Sequence, residues 1–157
     1  MAKRKSKKEN SGNHKHEAKK KYGQNFLEDT ELSDEILDVT EVNEETDVIE
    51  IGPGLGFLTE KLVESAKSLI AFEIDDDLIP VWMKKFGDKE NFTLIHNDFM
   101  EIKLEKYLLG KKDIKVVANI PYYITSPIIN KLIEHRDKIS EIYLMVQKEV
   151  AERIASK

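Results

Sequence analysis

The sequence predicts an α/β protein: a mostly parallel sheet with helices on both faces. Three observations carry this expectation. Short apolar runs alternate along the chain with amphipathic stretches of roughly ten residues. The apolar runs are continuous rather than alternating, as in strands covered on both faces. A glycine-rich turn, "IGPGLGF", joins the first such run to an amphipathic stretch, the arrangement that opens a right-handed βαβ unit.

The elements follow in order. "DTELSDEILDVT" sets Leu32, Ile36 and Val39 at helical spacing, with Asp29 placed to cap the helix. Asp47–Gly52 reads as the first strand. "FLTEKLVESA" puts Leu58, Leu62 and Ala66 on one helical face, with Val63 beside them, and Ser68–Ile74 is the second strand. "DDLIPVWMKKF" is a helix only if Pro80 lies in its first turn, because proline has no N–H to donate. "FTLIHN" is a third strand, "LEKYLL" a short helix and "IKVVANI" a fourth strand. Ser126 and Pro127 read as the cap and first residue of the helix "PIINKLIEH". "EIYLMVQ" is the fifth strand, after which "KEVAERIASK" opens another helix.

Composition narrows the class. With 157 residues, 40% of them apolar and 35% charged, the chain suits one charged globular domain. No apolar run approaches the ~18 residues a membrane span needs, and no apolar stretch follows the N-terminal charges as it would in a secretory signal. Cysteine is absent and the four histidines are scattered, so no metal site is expected. The net charge of −5 hides an asymmetry: residues 1–21 hold nine Lys and Arg against two Glu, and the remainder 16 basic against 28 acidic residues. A basic tail over 1–21, disordered and suited to neutralising nucleic-acid phosphates, is expected before the folded part, 22–157.

The unusual residues fall at the carboxyl ends of strands, where open parallel sheets bind ligands. Gly52, Gly54 and Gly56 let the backbone turn sharply and approach a ligand. Glu73 ends the second strand and can accept hydrogen bonds from two ribose hydroxyls. A dinucleotide site wants a third glycine where Phe57 stands, and the loop has no lysine for phosphates. S-adenosylmethionine, with ribose and adenine but no phosphate, is the remaining nucleoside cofactor. Asp98, after the third strand, can accept from the adenine amine, although Asn-Asp after a strand is also a common turn.

The fourth strand ends in "NIPYY". An adenine amine is a poor nucleophile because its lone pair is delocalised. Acceptors on both of its N–H groups, the Asn119 side chain and the Ile120 carbonyl, would localise that lone pair. Pro121 stiffens the turn. Tyr122 offers a face for a flipped-out base, worth about 1–3 kcal/mol, while Tyr123, one position on, should matter less if it only packs the turn. Catalysis would then rest on positioning and electrostatics.

"NIPY" resembles the Asn-x-Pro-Tyr motif of nucleic-acid amino-methyltransferases, and "KKKYGQNFL" with "IEIGPGLGFLTE" resembles the rRNA adenine dimethyltransferase family. "NIPYYITSPIINKL" and "LMVQKEVAERIA" are more similar to its small-subunit branch than to its macrolide-resistance branch, which acts on large-subunit rRNA. The resemblance implies a Rossmann-like S-adenosylmethionine-dependent methyltransferase fold. It implies N6,N6-dimethylation of adenines in rRNA of the immature 30S particle, a step of ribosome biogenesis carried out in the cytoplasm by a monomer. It adds Asn25 and Leu27 to the cofactor contacts at Gly52, Glu73, Asp98 and Asn119. The family continues with further strands and a helical domain, so 22–157 is expected to be the N-terminal part of the catalytic domain, truncated after strand five. A non-catalytic rRNA-binding assembly factor is the alternative of a different class.

Overall fold

A computed structural model describes residues 26–53, 56–120 and 122–145, leaving aside the side chains of residues 26–30 and of Tyr122. Helix α1 (Phe26–Thr40) precedes β1 (Asp47–Ile51), α2 (Phe57–Ser65), β2 (Ser68–Glu73) and α3 (Ile79–Phe86). Next come β3 (Phe92–His96), α4 (Glu105–Leu108), β4 (Ile114–Asn119), a 3-10 turn (Tyr122–Ile124), α5 (Thr125–Ile133) and β5 (Ile139–Met145). The strands form one parallel sheet in the order β3-β2-β1-β4-β5. Chain direction across the sheet therefore reverses between β1 and β4, and a crevice opens at that switch point.

Alternate residues of each strand feed two separate cores. Ile49 and Ile51 of β1, Ile70 and Phe72 of β2, and Val116 and Ala118 of β4 pack on one face, under Leu108 of α4 and Ile128 and Leu132 of α5. Val48, Leu69 and Val117 face the other side, under Leu58 and Leu62 of α2 and Trp82 and Phe86 of α3, with Ile36 and Leu37 of α1 packed at the edge. Helices on both faces explain why the strands read as unbroken apolar runs.

Three local expectations are corrected. Helix α1 begins at Phe26, so Asp29 lies inside it rather than at its cap. Its inward face follows the apolar spacing only in part: Ile36 packs at the core edge beside Leu37, but Leu32 and Val39 are 46% and 67% exposed, whereas Ser33 and Thr40 are buried. Thr40 Oγ1 donates to the Leu37 carbonyl, and Lys115 Nζ of β4 donates to that of Thr40, which ties the end of the helix to the sheet. Helix α5 starts at Thr125, with the 3-10 turn running directly into it, so Ser126 and Pro127 are its second and third residues. Proline is still tolerated there, since the N–H groups of a first turn have no intrahelical acceptor.

Pro80 does fall in the first turn of α3, as its helix requires. Strand β5 starts two residues before "EIYLMVQ". The helix expected at "KEVAERIASK" and the basic tail lie outside the described residues. No helix among the described residues is long and apolar enough to cross a membrane.

Candidate functional site

The site is built from the last residues of four adjacent strands. Ile51 of β1 is in register with Phe72 of β2 and with Ala118 of β4, so Gly52, Glu73 and Asn119 come one step later at the same level. Gly52 N–H donates to the Phe72 carbonyl at 3.1 Å, and on its other side Gly52 lies against the carbonyl of Asn119. Its φ of 70° is in the left-handed region, where glycine alone is unstrained. Glu73 is paired with His96 of β3, and Asp98 follows two residues later. Four of the residues singled out in the sequence thus share the mouth of the switch-point crevice.

The carboxylates there are held in specific ways. Glu73 is 6% exposed and accepts a hydrogen bond from the Ile74 N–H at 3.2 Å. Burial holds its pKa above the ordinary carboxylate range, against the pull of that hydrogen bond. Asp98 Oδ1 accepts from the Met100 N–H at 2.9 Å, and the Asp98 N–H donates to Asn97 Oδ1 at 2.8 Å. The turn suggested by Asn-Asp therefore exists, and it fixes where the Asp98 carboxyl stands.

The remaining expectations divide by coverage. Asn25, Gly54 and Pro121 lie outside the described residues. Leu27 and Tyr122 have described backbones, in α1 and in the 3-10 turn, but no described side chains. Asn119 is exposed at the end of β4, and Ile120 behind it is buried. Tyr123 is 70% exposed at the 3-10 turn, while Thr125 is buried.

Several residues escaped the sequence reading. Glu50, in the middle of β1, is buried and accepts a hydrogen bond from Thr59 Oγ1 of α2 at 2.5 Å. Burial pushes its pKa up to about 7, with nearby Glu73 adding to the shift and the Thr59 bond opposing it. A charged residue inside an otherwise apolar strand was the available signal. Gly56, the N-cap of α2, was legible as a glycine of the loop, but what its missing Cβ makes room for was not. The Trp82 ring of α3 fills that side, and a Cβ there would lie 1.7 Å from it. Trp82 Nε1 is buried without an acceptor among the described residues. Ile74, 65% exposed beside Glu73, offers an apolar surface at the rim.

This donor set suits a cation better than a phosphate. Two buried acids, Glu50 and Glu73, flank the glycine turn; a sulfonium or an ammonium there would favour their ionised forms, which a pyrophosphate would oppose. Among the described residues, no three His, Asp or Glu side chains are grouped to hold a metal ion.

A family model described as "Ribosomal RNA adenine dimethylase" matches residues 15–157. The chain belongs to this family. The chain is 53% identical over 140 residues to the ribosomal RNA small subunit methyltransferase A of Fusobacterium nucleatum, covering 88% of this chain and 52% of that protein. It is 47% identical over 142 residues to the protein of that name from Streptococcus sanguinis, covering 88% and 49%. The chain thus spans about half the length of the curated relatives it matches. Among solved structures, a dimethyladenosine transferase from Plasmodium falciparum aligns with a TM-score of 0.69 and 35% identity, covering 80% of this chain and 44% of the other. The 23S rRNA methyltransferase ErmE aligns with a TM-score of 0.65 and 26% identity, covering 78% and 48%. The chain has the Rossmann-like methyltransferase fold of these structures.

Proposed function

We propose that this protein transfers methyl groups from S-adenosylmethionine to adenine amines of small-subunit rRNA, giving N6,N6-dimethyladenine during ribosome biogenesis. The observation that carries the proposal is the convergence of Gly52, Glu73, Asp98 and Asn119 on the β1/β4 switch point, beside two buried carboxylates. Identity favours the small subunit over the large: 53% to a small-subunit enzyme against 26% to the large-subunit enzyme ErmE.

The bound cofactor supplies an electrophilic methyl group on a sulfonium. Glu73 binds the ribose hydroxyls, Ile74 supports the purine and Asp98 accepts from its amine. Asn25 and Leu27 close over the methionine end, while Gly52 and Gly54 keep the turn free of side chains. On the other side of the crevice Asn119 and the Ile120 carbonyl accept the N–H groups of the target amine. Pro121 keeps that turn rigid and Tyr122 stacks the base. The amine's surplus proton leaves to water, so no side chain need act as a base.

In the cell we place this chemistry in the cytoplasm, on immature 30S particles, with residues 1–21 as a basic arm on rRNA and a monomer as the working unit. Calorimetry with S-adenosylhomocysteine and with NAD tests the cofactor, and transfer of labelled methyl groups to immature small and large subunits tests the substrate. Binding of S-adenosylhomocysteine alone, with label entering only small-subunit rRNA, is expected. NAD binding would overturn the cofactor, and cofactor binding without transfer would leave an rRNA-binding assembly factor.

A further inference from the structure

Lys131 lies on α5, one turn beyond the segment that follows Asn119, yet its ammonium is spent on the other half of the site. Nζ donates to the carbonyl of Phe99 at 2.5 Å and to that of Ile102 at 2.6 Å. It also stands 5.0 Å from the centre of the Phe99 ring. These carbonyls belong to the irregular stretch between β3 and α4, whose backbone acceptors have no ladder to join and must be satisfied some other way. Asp98 lies in that stretch, immediately before Phe99, and its carboxyl is already folded into it through the Met100 N–H.

Charge strengthens the tie. The ammonium is within electrostatic reach of Glu105, Asp98, Glu101 and Glu134. Just past the end of α5, His135 Nε2 meets Glu105 of α4 at 2.9 Å, a second tie that leaves the Phe99 and Ile102 carbonyls to Lys131.

We propose that Lys131 is a positioning residue: by clamping the Phe99 and Ile102 carbonyls it holds Asp98 where a purine's exocyclic amine is recognised, and so sets selectivity for adenine in the cofactor. The inference rests on the cofactor reading above and goes further, because it assigns that selectivity to a side chain of α5 rather than to one at the strand ends.

The test compares S-adenosylhomocysteine with its inosine analogue, in which a carbonyl oxygen replaces the amine and faces the Asp98 carboxylate. Both affinities are measured by calorimetry on the full chain, wild type and Lys131→Met. Wild type should prefer the adenine ligand by about tenfold or more, as expected for a hydrogen bond to a charged group. In Lys131→Met that preference should shrink several-fold, chiefly through weaker binding of the adenine ligand. A folded Lys131→Met with the wild-type ratio of affinities would overturn the proposal, because a merely structural lysine would weaken both ligands alike. Should Lys131→Met not fold, Lys131→Gln, whose amide keeps one donor group, is read by the same two outcomes. Failure of wild type to bind either ligand would instead remove the cofactor reading itself.

Discussion

Gly52 and the carbonyl of Asn119 occupy adjoining space so closely that a Cβ on Gly52 would lie 2.6 Å from that oxygen. The turn proposed to hold the cofactor and the turn proposed to hold the target base are thus in direct backbone contact. A side chain at 52 would have to move one of them. Gly52→Ala adds this clash to the cost of a left-handed φ of 70°. The two together should destabilise the protein by about 2–4 kcal/mol. Urea unfolding should show the midpoint falling at unchanged slope; an unchanged midpoint would mean that the two turns are not in contact.

Gly56 and Trp82 form a second close pair, but here the obstacle is a side chain. Gly56→Ala should be severely destabilising in the wild-type background. In a Trp82→Leu background the ring is gone and only the backbone strain remains, so the same substitution should cost less. A double-mutant cycle should give a coupling of about 1–3 kcal/mol, and strict additivity would show that the ring does not confine position 56.

Glu50 predicts a pH dependence of stability. Its pKa is raised from 4.5 to about 7 in the folded protein. The folded state therefore binds the extra proton in the window between these values, and stability is lost as pH rises through about 7. The shift corresponds to about 3 kcal/mol at most. Glu50→Gln keeps an acceptor for Thr59 and never ionises. The difference in melting temperature between Glu50→Gln and wild type should grow from pH 4.5 to pH 8, in favour of the variant. A difference independent of pH would show that Glu50 ionises freely.

Glu73 and Asn119 should fail in different ways. Glu73→Ala should weaken S-adenosylhomocysteine by about 1.5–3 kcal/mol, ten- to a hundredfold. Asn119→Ala removes an acceptor that matters most as charge develops on the amine, so its effect should fall mainly on kcat. Single-turnover methyl transfer beside calorimetry separates the two. Near-normal turnover by folded Asn119→Ala would sink the role given to it.

The parts of this architecture that were legible are those set by short-range pattern. β1, β2 and β4 stand out as apolar runs, and their ends stand out because Gly52, Glu73 and Asn119 interrupt those runs. Helix α1 was misread in part because Ser33 and Thr40, which carry no apolar signature, share its inward face with Ile36 and Leu37. Lys131 looks like any solvent-facing lysine of an amphipathic helix, since its acceptors at Phe99 and Ile102 lie about thirty residues earlier in the chain. Trp82 is conspicuous, but nothing in the sequence says that a glycine on another helix is shaped around it.

The strand order also bears on how the protein comes together. Ile49 of β1 meets Ile70 on one side, 21 residues along the chain, and Val116 on the other, 67 residues along. Closing the longer loop costs about 1 kcal/mol more in chain entropy, and β4 also emerges later during synthesis. The β1-β2-β3 half, carrying Gly52, Glu73 and Asp98, can therefore condense while Asn119 is still distant. Docking of β4 against β1 is the event that presses Asn119 onto Gly52, so a refolding chain should acquire its cofactor half before the crevice has a second wall.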